Sequence, residues 1–215
     1  MHIPDGFIAP QMYLPAYGAA AALWAYGARR LRTALHEETI PQLAVLTAFC
    51  FVVMMVMVPL PGGTSAHATG IALLAIVFGV WTAFVAVSLV LLLQALLFGA
   101  GGVTALALNA LAMGLVGSAA ARAGYLLLRR SHEGGALVTA GWLSVNASAL
   151  LMALALGLQP TIAHAEDGQP LFFPFGLSIT LPAVMVPHAL IGIGEGVLTL
   201  FMFRLLKQRG WVERR

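Results

Sequence analysis

The sequence predicts an all-α fold: a polytopic membrane helix bundle of about seven transmembrane helices, with the N-terminus outside and the C-terminus cytoplasmic. Three observations carry this prediction. Of the 215 residues 60% are apolar and 9% charged, and the mean hydropathy is +0.93, whereas a soluble domain carries about 25% charged residues. The apolar residues gather into seven stretches, most of them close to the ~20 residues a helix needs to cross a bilayer. The 11 Lys and Arg residues then fall on one side only if all seven stretches count as crossings.

The stretches follow one another as Pro10–Ala28, Pro41–Leu60, Ile71–Gly79, Val80–Phe98, Thr104–Leu128, Leu137–Leu158 and Ala183–Leu206. The first opens on Pro10 and ends before Arg29, Arg30 and Arg32. The second runs to the PLPGG turn. The third is too short to cross alone and reads with the fourth as a tilted or broken pair. The fifth begins after FGAGG, carries Arg122 and ends at Arg129 and Arg130. The seventh ends among Arg204, Lys207, Arg209, Arg214 and Arg215. Short cytoplasmic loops carry the Lys/Arg excess, which sets the orientation. The chain thus reads as one integral membrane domain over residues 1–215. Its external parts are the N-terminal segment 1–9, a histidine loop at 61–70 and a long loop at 159–182.

Several functions are excluded. The one cysteine, Cys50, sits in an apolar run, so no disulfide framework or CxxC metal site exists. The one lysine, Lys207, precedes Gln208, so there is no phosphate loop for ATP hydrolysis, and the HExxH and GxSxG signatures are also missing. A pI near 9.5 does not indicate nucleic acid when the basic residues lie at membrane ends. The start lacks the basic region and cleavage site of a signal peptide. Because His2 is large, Met1 is expected to stay and to keep a free α-amine.

That start, MHIPDGF, carries the chemistry. A Met-His terminus offers three nitrogens in fused chelate rings: the amine, the His2 amide once ionised, and the His2 imidazole Nδ1. Few biological metals ionise an amide, chiefly Cu(II) and Ni(II), and both favour planar nitrogen sites. His67, in PGGTSAHATG, is the candidate fourth nitrogen. Gly62, Gly63 and Gly70 would let its loop fold close, and Pro4 and Gly6 would turn the N-terminal segment back. Spacing alone leaves a second reading open, in which both histidines are interfacial polar residues.

The stretches MHIPDGF, GGTSAHATG, QALLFGAGGVTALALNALAMG and PHALIGIGEGVLT resemble the CbiM/NikM family over nearly the whole chain, from Met1 to about Thr199. These are substrate-binding S components of energy-coupling factor (ECF) transporters for nickel and cobalt. The resemblance implies Met1, His2 and His67 as metal ligands and Ni2+ or Co2+ as the transported substrate. It also implies, as partners, a transmembrane coupling (T) component, cytoplasmic ATP-binding-cassette ATPases and a small accessory membrane subunit, in a cell inner membrane. The chain departs from the family at Ala100, where an acidic residue or histidine is frequent, so no supporting carboxylate is expected from that turn.

Other polar residues stand in the oil. Gln94 and Asn109 read as hydrogen-bond partners of neighbouring helices, with a supporting role near the ion as the alternative. His188 and Glu195 are seven apart on one helix face; His188 is expected to bond a loop, and Glu195, deeper, to need a partner. Met54, Met55 and Met57 read as packing rather than a soft-metal path. His164, Glu166 and Asp167 read as solvated loop residues. Small-residue pairs on the first span, Ala16–Ala20, Gly18–Ala22 and Ala21–Ala25, suit close helix packing or a membrane partner. A self-sufficient metal carrier or channel is the competing function. It is disfavoured by the lack of a clear inverted repeat or midplane ionisable path.

Overall fold

Nearly every element in the computed structural model, which describes residues 2–60 and 64–212, is a helix. Met1, Gly62, Gly63, Arg214 and Arg215 lie outside the described residues. Helix α1 spans Pro10–Ala34 and α2 spans Thr39–Met54. A short antiparallel hairpin follows, β1 (Val58–Leu60) with β2 (Thr64–Ala66), in the register Val58 opposite Ala66. Helix α3 (Ile71–Phe78) and α4 (Val80–Phe98) come next. Then α5 (Leu106–Asn109), a π-helical stretch at Ala110–Gly117 and α6 (Ser118–Leu128) run on as one helix. Helix α7 (Glu133–Gly157), the short α8 (Gln159–Ile162) and α9 (Leu177–Gln208) complete the bundle.

Among the described residues four helices are long and apolar enough to cross a membrane: Val80–Phe98, Leu106–Leu128, Glu133–Ile162 and Leu177–Gln208. Helix α4 has the limits the sequence predicted. The α3–α4 pair is a broken one: Gly79 interrupts it at φ 85°, a conformation that costs glycine nothing and other residues dearly. At about 1.5 Å per residue, α3 rises only part of the way through the ~30 Å hydrocarbon layer.

Several boundaries differ from the sequence reading: the first stretch was expected to end at Ala28, but α1 continues to Ala34, and three more differ with a physical reason. The second apolar stretch was expected to run to Leu60, but α2 stops at Met54, and the β-branched Val56 and Val58 with Pro59 pass into the hairpin. The sixth begins earlier, at Glu133, because His132 Nδ1 accepts the Gly135 N–H at 2.7 Å and caps the first turn. The loop at 159–182 is shorter than expected: α8 occupies its start, and α9 begins at Leu177 with Pro182 and Pro187 inside it. Proline reads as a boundary in water. Membrane helices tolerate it because neighbouring groups satisfy the freed carbonyl.

Helices α7 and α9 pack closely. A Cβ on Gly141 would stand 2.6 Å from the Gly196 Cα, and one on Gly192 would stand 2.6 Å from the Asn146 Nδ2. Gly192 and Gly196 are four apart, so one small-residue face of α9 lets the two backbones touch. Helix α1 does the same against α4 at Gly27, where a Cβ would lie 2.9 Å from Val85. Ala16 and Ala20 of α1 are buried, whereas Gly18, Ala21, Ala22 and Ala25 are exposed.

Overpacking at such a contact costs about 1–3 kcal/mol or more. Gly141→Leu is therefore expected to lower the thermal midpoint of the detergent-solubilised protein by several degrees. Gly194→Ala, where a Cβ meets nothing within 4 Å, should leave it unchanged or slightly raised. Equal midpoints for the two variants in a thermal melt would contradict the close α7–α9 contact.

Candidate metal centre

The N-terminal segment is tied to the bundle chiefly through its backbone. Asn109 grips Ile3 on both sides: Ile3 N–H donates to Oδ1, and Nδ2 donates to the Ile3 carbonyl, both at 3.0 Å. The Asp5 carboxylate accepts the N–H groups of Val103 and Thr104 and the Thr104 hydroxyl. The Ala9 N–H donates to Gln159 Oε1 at 2.8 Å. Gly101 and Gly102 clear the path. A Cβ on Gly101, at φ 80°, would lie 3.3 Å from the His2 Cβ, and one on Gly102 would lie 2.4 Å from the Asp5 N. Ile3 and Ile8 are buried in the core. Burial alone would raise the Asp5 pKa; its three hydrogen bonds outweigh that and hold it below the usual value.

The second half of the site hangs from Glu195, which lies on α9 and is fully buried. Its carboxylate accepts the Thr69 N–H at 2.6 Å, the Gly70 N–H at 2.8 Å and the Thr69 hydroxyl at 3.0 Å. These groups form the start of α3, where free N–H groups and the helix dipole favour an anion. Two residues upstream stands His67. Its Nδ1 lies 3.0 Å from the Ala68 carbonyl, which only accepts, so Nδ1 carries the proton and Nε2 is bare.

The two histidines meet. His67 Nε2 is 3.2 Å from His2 Nδ1, and the rings stack with centroids 4.7 Å apart. His2 is 4% and His67 2% exposed. Burial is the chief cause that lowers the His2 pKa to about 3 and drives that of His67 well below the usual imidazole value. Both rings are thus neutral at physiological pH and hold a lone pair for a ligand. Among the described residues no group of three His, Cys, Asp or Glu side chains converges here.

Around this pair the other polar residues take definite places. Gln94 lies beside His2 and donates to the Phe51 carbonyl at 3.3 Å, and its Oε1 finds no partner among the described residues. Among the described residues His188 bonds no loop, contrary to expectation: its Nδ1 donates to the Val184 carbonyl on its own helix at 2.7 Å. It lines a small cavity with His2, Ser65 and Met152. Asn109 serves the N-terminal segment rather than a neighbouring helix. Ala100 is buried and brings no carboxylate to the turn. Met54 is core, and His164, Glu166 and Asp167 are exposed. Gln159 and Asp5 went unnoticed in the sequence. The signal available was an amide at a span edge and an acid in the IPDG turn.

The family model described as cobalt uptake substrate-specific transmembrane region, CbiM, matches residues 2–212. The probable fused nickel transport protein LarMN of Lactiplantibacillus plantarum is 40% identical over 212 residues, covering 97% of this chain and 65% of that protein. The fused nickel transport protein NikMN of Rhodobacter capsulatus is 40% identical over 206 residues, covering 93% of this chain and 59% of that protein. The chain therefore spans about two thirds of the length of these relatives. A solved structure described as a truncated transition metal transporter is 36% identical, with a TM-score of 0.93 over 97% of this chain and 99% of that one.

The buried rings give a pH prediction. An unfolded chain protonates histidine near pH 6.5, whereas the folded His2 and His67 stay neutral, so their contribution to stability is lost as pH falls below that value. Ring 15N shifts of both histidines in the metal-free protein should hold steady from pH 8 to pH 5. A titration step near pH 6.5 in either ring would contradict the burial.

Proposed function

The chain belongs to the CbiM family of cobalt uptake substrate-specific transmembrane regions, and on that premise we propose the following role. It captures a divalent transition metal ion, Ni2+ by preference or Co2+, at the external membrane face. It does so as the substrate-specific component of an ATP-driven importer of the ECF type. The observation that carries this reading is the buried approach of His2 Nδ1 to His67 Nε2 at 3.2 Å.

The proposed ligands are the Met1 amine, the His2 amide and Nδ1, and His67 Nε2. In fused chelate rings the amide takes the middle corner of a square, so the fourth donor stands opposite it and next to Nδ1. With metal–nitrogen bonds of about 2.0 Å, adjacent corners lie about 2.8 Å apart and opposite ones about 4 Å. The observed spacing suits adjacent corners and needs only a small closure onto an ion. The bare Nε2 of His67 is ready to bind, whereas the His2 Nδ1 that faces it, the amine and the amide must first be free of their protons, so binding weakens as pH falls. An ionised amide in a planar field favours nickel. Cu(II) ranks above both metals in intrinsic affinity, so selectivity against copper rests partly on metal availability and partly on geometry.

Every Lys and Arg lies at a cytoplasmic end if the chain crosses the inner membrane seven times with its N-terminus outside, which puts the paired histidines externally. Transport energy then comes from partner ATPases through a T component, with a small accessory subunit, since the chain carries no phosphate loop. The exposed small residues of α1, Gly18, Ala21, Ala22 and Ala25, fit close approach of a coupling helix.

The decisive experiment displaces a backbone atom. One alanine added before Met1 removes the amine from the chelate and leaves every native side chain in place. Equilibrium nickel titration of the purified protein should show binding abolished by the extension and by His2→Ala, severely weakened by His67→Ala, and little changed by His164→Ala. Wild-type affinity in the extended protein would remove the amine from the ligand set.

Two further measurements test the transport role and its orientation. Liposomes holding this chain alone should show no concentrative nickel uptake until the ATPase partners are added; uptake by the chain alone would favour a carrier. A reporter fused after Arg215 should be cytoplasmic and a tag in residues 163–176 external. A cytoplasmic signal from that loop would overturn the seven-crossing orientation.

A further inference from the structure

At the far end of the bundle from the paired histidines, α3, α6 and α9 border a cavity of about 540 Å3. Helix α6 carries the chain away from Asn109, the residue that grips Ile3. The 20 residues from there to Arg129 rise about 30 Å, the thickness of a hydrocarbon layer.

The lining combines two chemistries. Three guanidiniums border the cavity, those of Arg122, Arg129 and Arg130, and the one acid among the lining residues is Glu133. That acid is already matched, by Lys207 at 2.9 Å, and this is the one ion pair among the described residues. Arg122 Nη1 donates to the Ala75 and Ile76 carbonyls at the end of α3, which fixes the guanidinium and leaves its other donors to the cavity. Arg129 and Arg130 are exposed and make no ion pair among the described residues. The rest of the lining is apolar or aromatic, including Leu126, Phe203, Tyr125 and Trp211.

We propose that this cavity holds the phosphate headgroup of an anionic phospholipid. A phosphate alone answers the charge but not the space, which exceeds many times the ~30 Å3 of one water. The apolar wall suits the glycerol and first acyl carbons. Tyrosine and tryptophan suit the level of the headgroups, and basic pockets between membrane helices take anionic headgroups. An acidic peptide would match the arginines but not the apolar wall. A lipid held here bridges α6 and α9 beside the Arg122 contact that closes the end of α3.

The test is lipid retention by the purified full chain in native mass spectrometry, with phosphatidylglycerol against phosphatidylcholine. The exposed pair is replaced as R129Q/R130Q, and R29Q/R30Q on α1 removes the same charge elsewhere. The wild type and R29Q/R30Q are expected to retain one phosphatidylglycerol in preference to phosphatidylcholine. R129Q/R130Q should bind it roughly thirtyfold more weakly, from about one charge-worth of headgroup attraction per arginine. Retention by R129Q/R130Q equal to wild type, or equal loss in both double variants, overturns the site. In a lipid-free arm with inorganic phosphate no specific adduct is expected. A phosphate adduct that R129Q/R130Q abolishes, without any lipid retention, would assign the cavity to free phosphate and overturn the lipid.

Discussion

The two open ends of α3 constrain everything around them. A helix that stops inside a membrane exposes N–H groups at one end and carbonyls at the other, with no water to satisfy them. Here each end meets a charged side chain of the sign its dipole favours. Glu195 accepts two N–H groups and a hydroxyl at the start, and Arg122 donates to two carbonyls at the finish. Neither charge has an ion-pair partner among the described residues. Each is matched by main-chain groups, which is also how those groups escape the cost of about 1–3 kcal/mol for an unmet hydrogen bond. The interruption at Gly79 and the buried glutamate are thus two parts of one arrangement, and His67 inherits its position from it.

The N-terminal segment solves a similar problem by another route. An extended strand laid into a bundle has no helix or sheet to pair its backbone, so side chains do so: Asn109 for Ile3 and Gln159 for Ala9. An amide side chain can donate and accept at once, which a hydroxyl or a carboxylate cannot do with the same planar fit. The asparagine clamp fixes the chain one residue beyond His2, leaving the ring little freedom. The two histidines are therefore held from two independent anchors, α5 for one and α9 for the other. A site held on rigid elements loses less entropy when it closes on an ion.

How much of this the sequence disclosed depends on the range of each interaction. Composition and the placement of Lys and Arg needed no partners and led to the membrane bundle. Helix α4, mostly apolar between two glycines, was legible to the residue. The end of α2 and the start of α9 were not, because proline and β-branched residues carry opposite meanings in a membrane helix and in a hairpin. Glu195 and Asn109 stood out as costly polar groups in oil. Their partners lie 126 and 106 positions away, a distance over which no periodicity speaks. Gln159 was hidden for another reason: it sits at the edge of an apolar run and reads as the first residue of a loop. Of the candidate ligands, His2 and His67 are side by side, and the amine of Met1 lies outside the described residues.

The motif MHIPDGF then has a positional sense that its residue types alone do not express. Ile3 is gripped through its backbone, so many residues could satisfy Asn109 at that point. Asp5 is gripped through its carboxylate by Val103 and Thr104, so the register of the segment is set two residues further on. The glycines at 101 and 102 leave no space for a Cβ beside His2 or Asp5, which fixes the segment's path as well as its register. A ligand set that includes main-chain nitrogens, as proposed, gains from such an arrangement. Its donors cannot be supplied by another rotamer or a neighbouring side chain, only by the chain beginning at the right place. Anchors at positions 3, 5 and 9 hold the segment that carries His2, and the loop hung from Glu195 brings a single imidazole nitrogen to meet its ring.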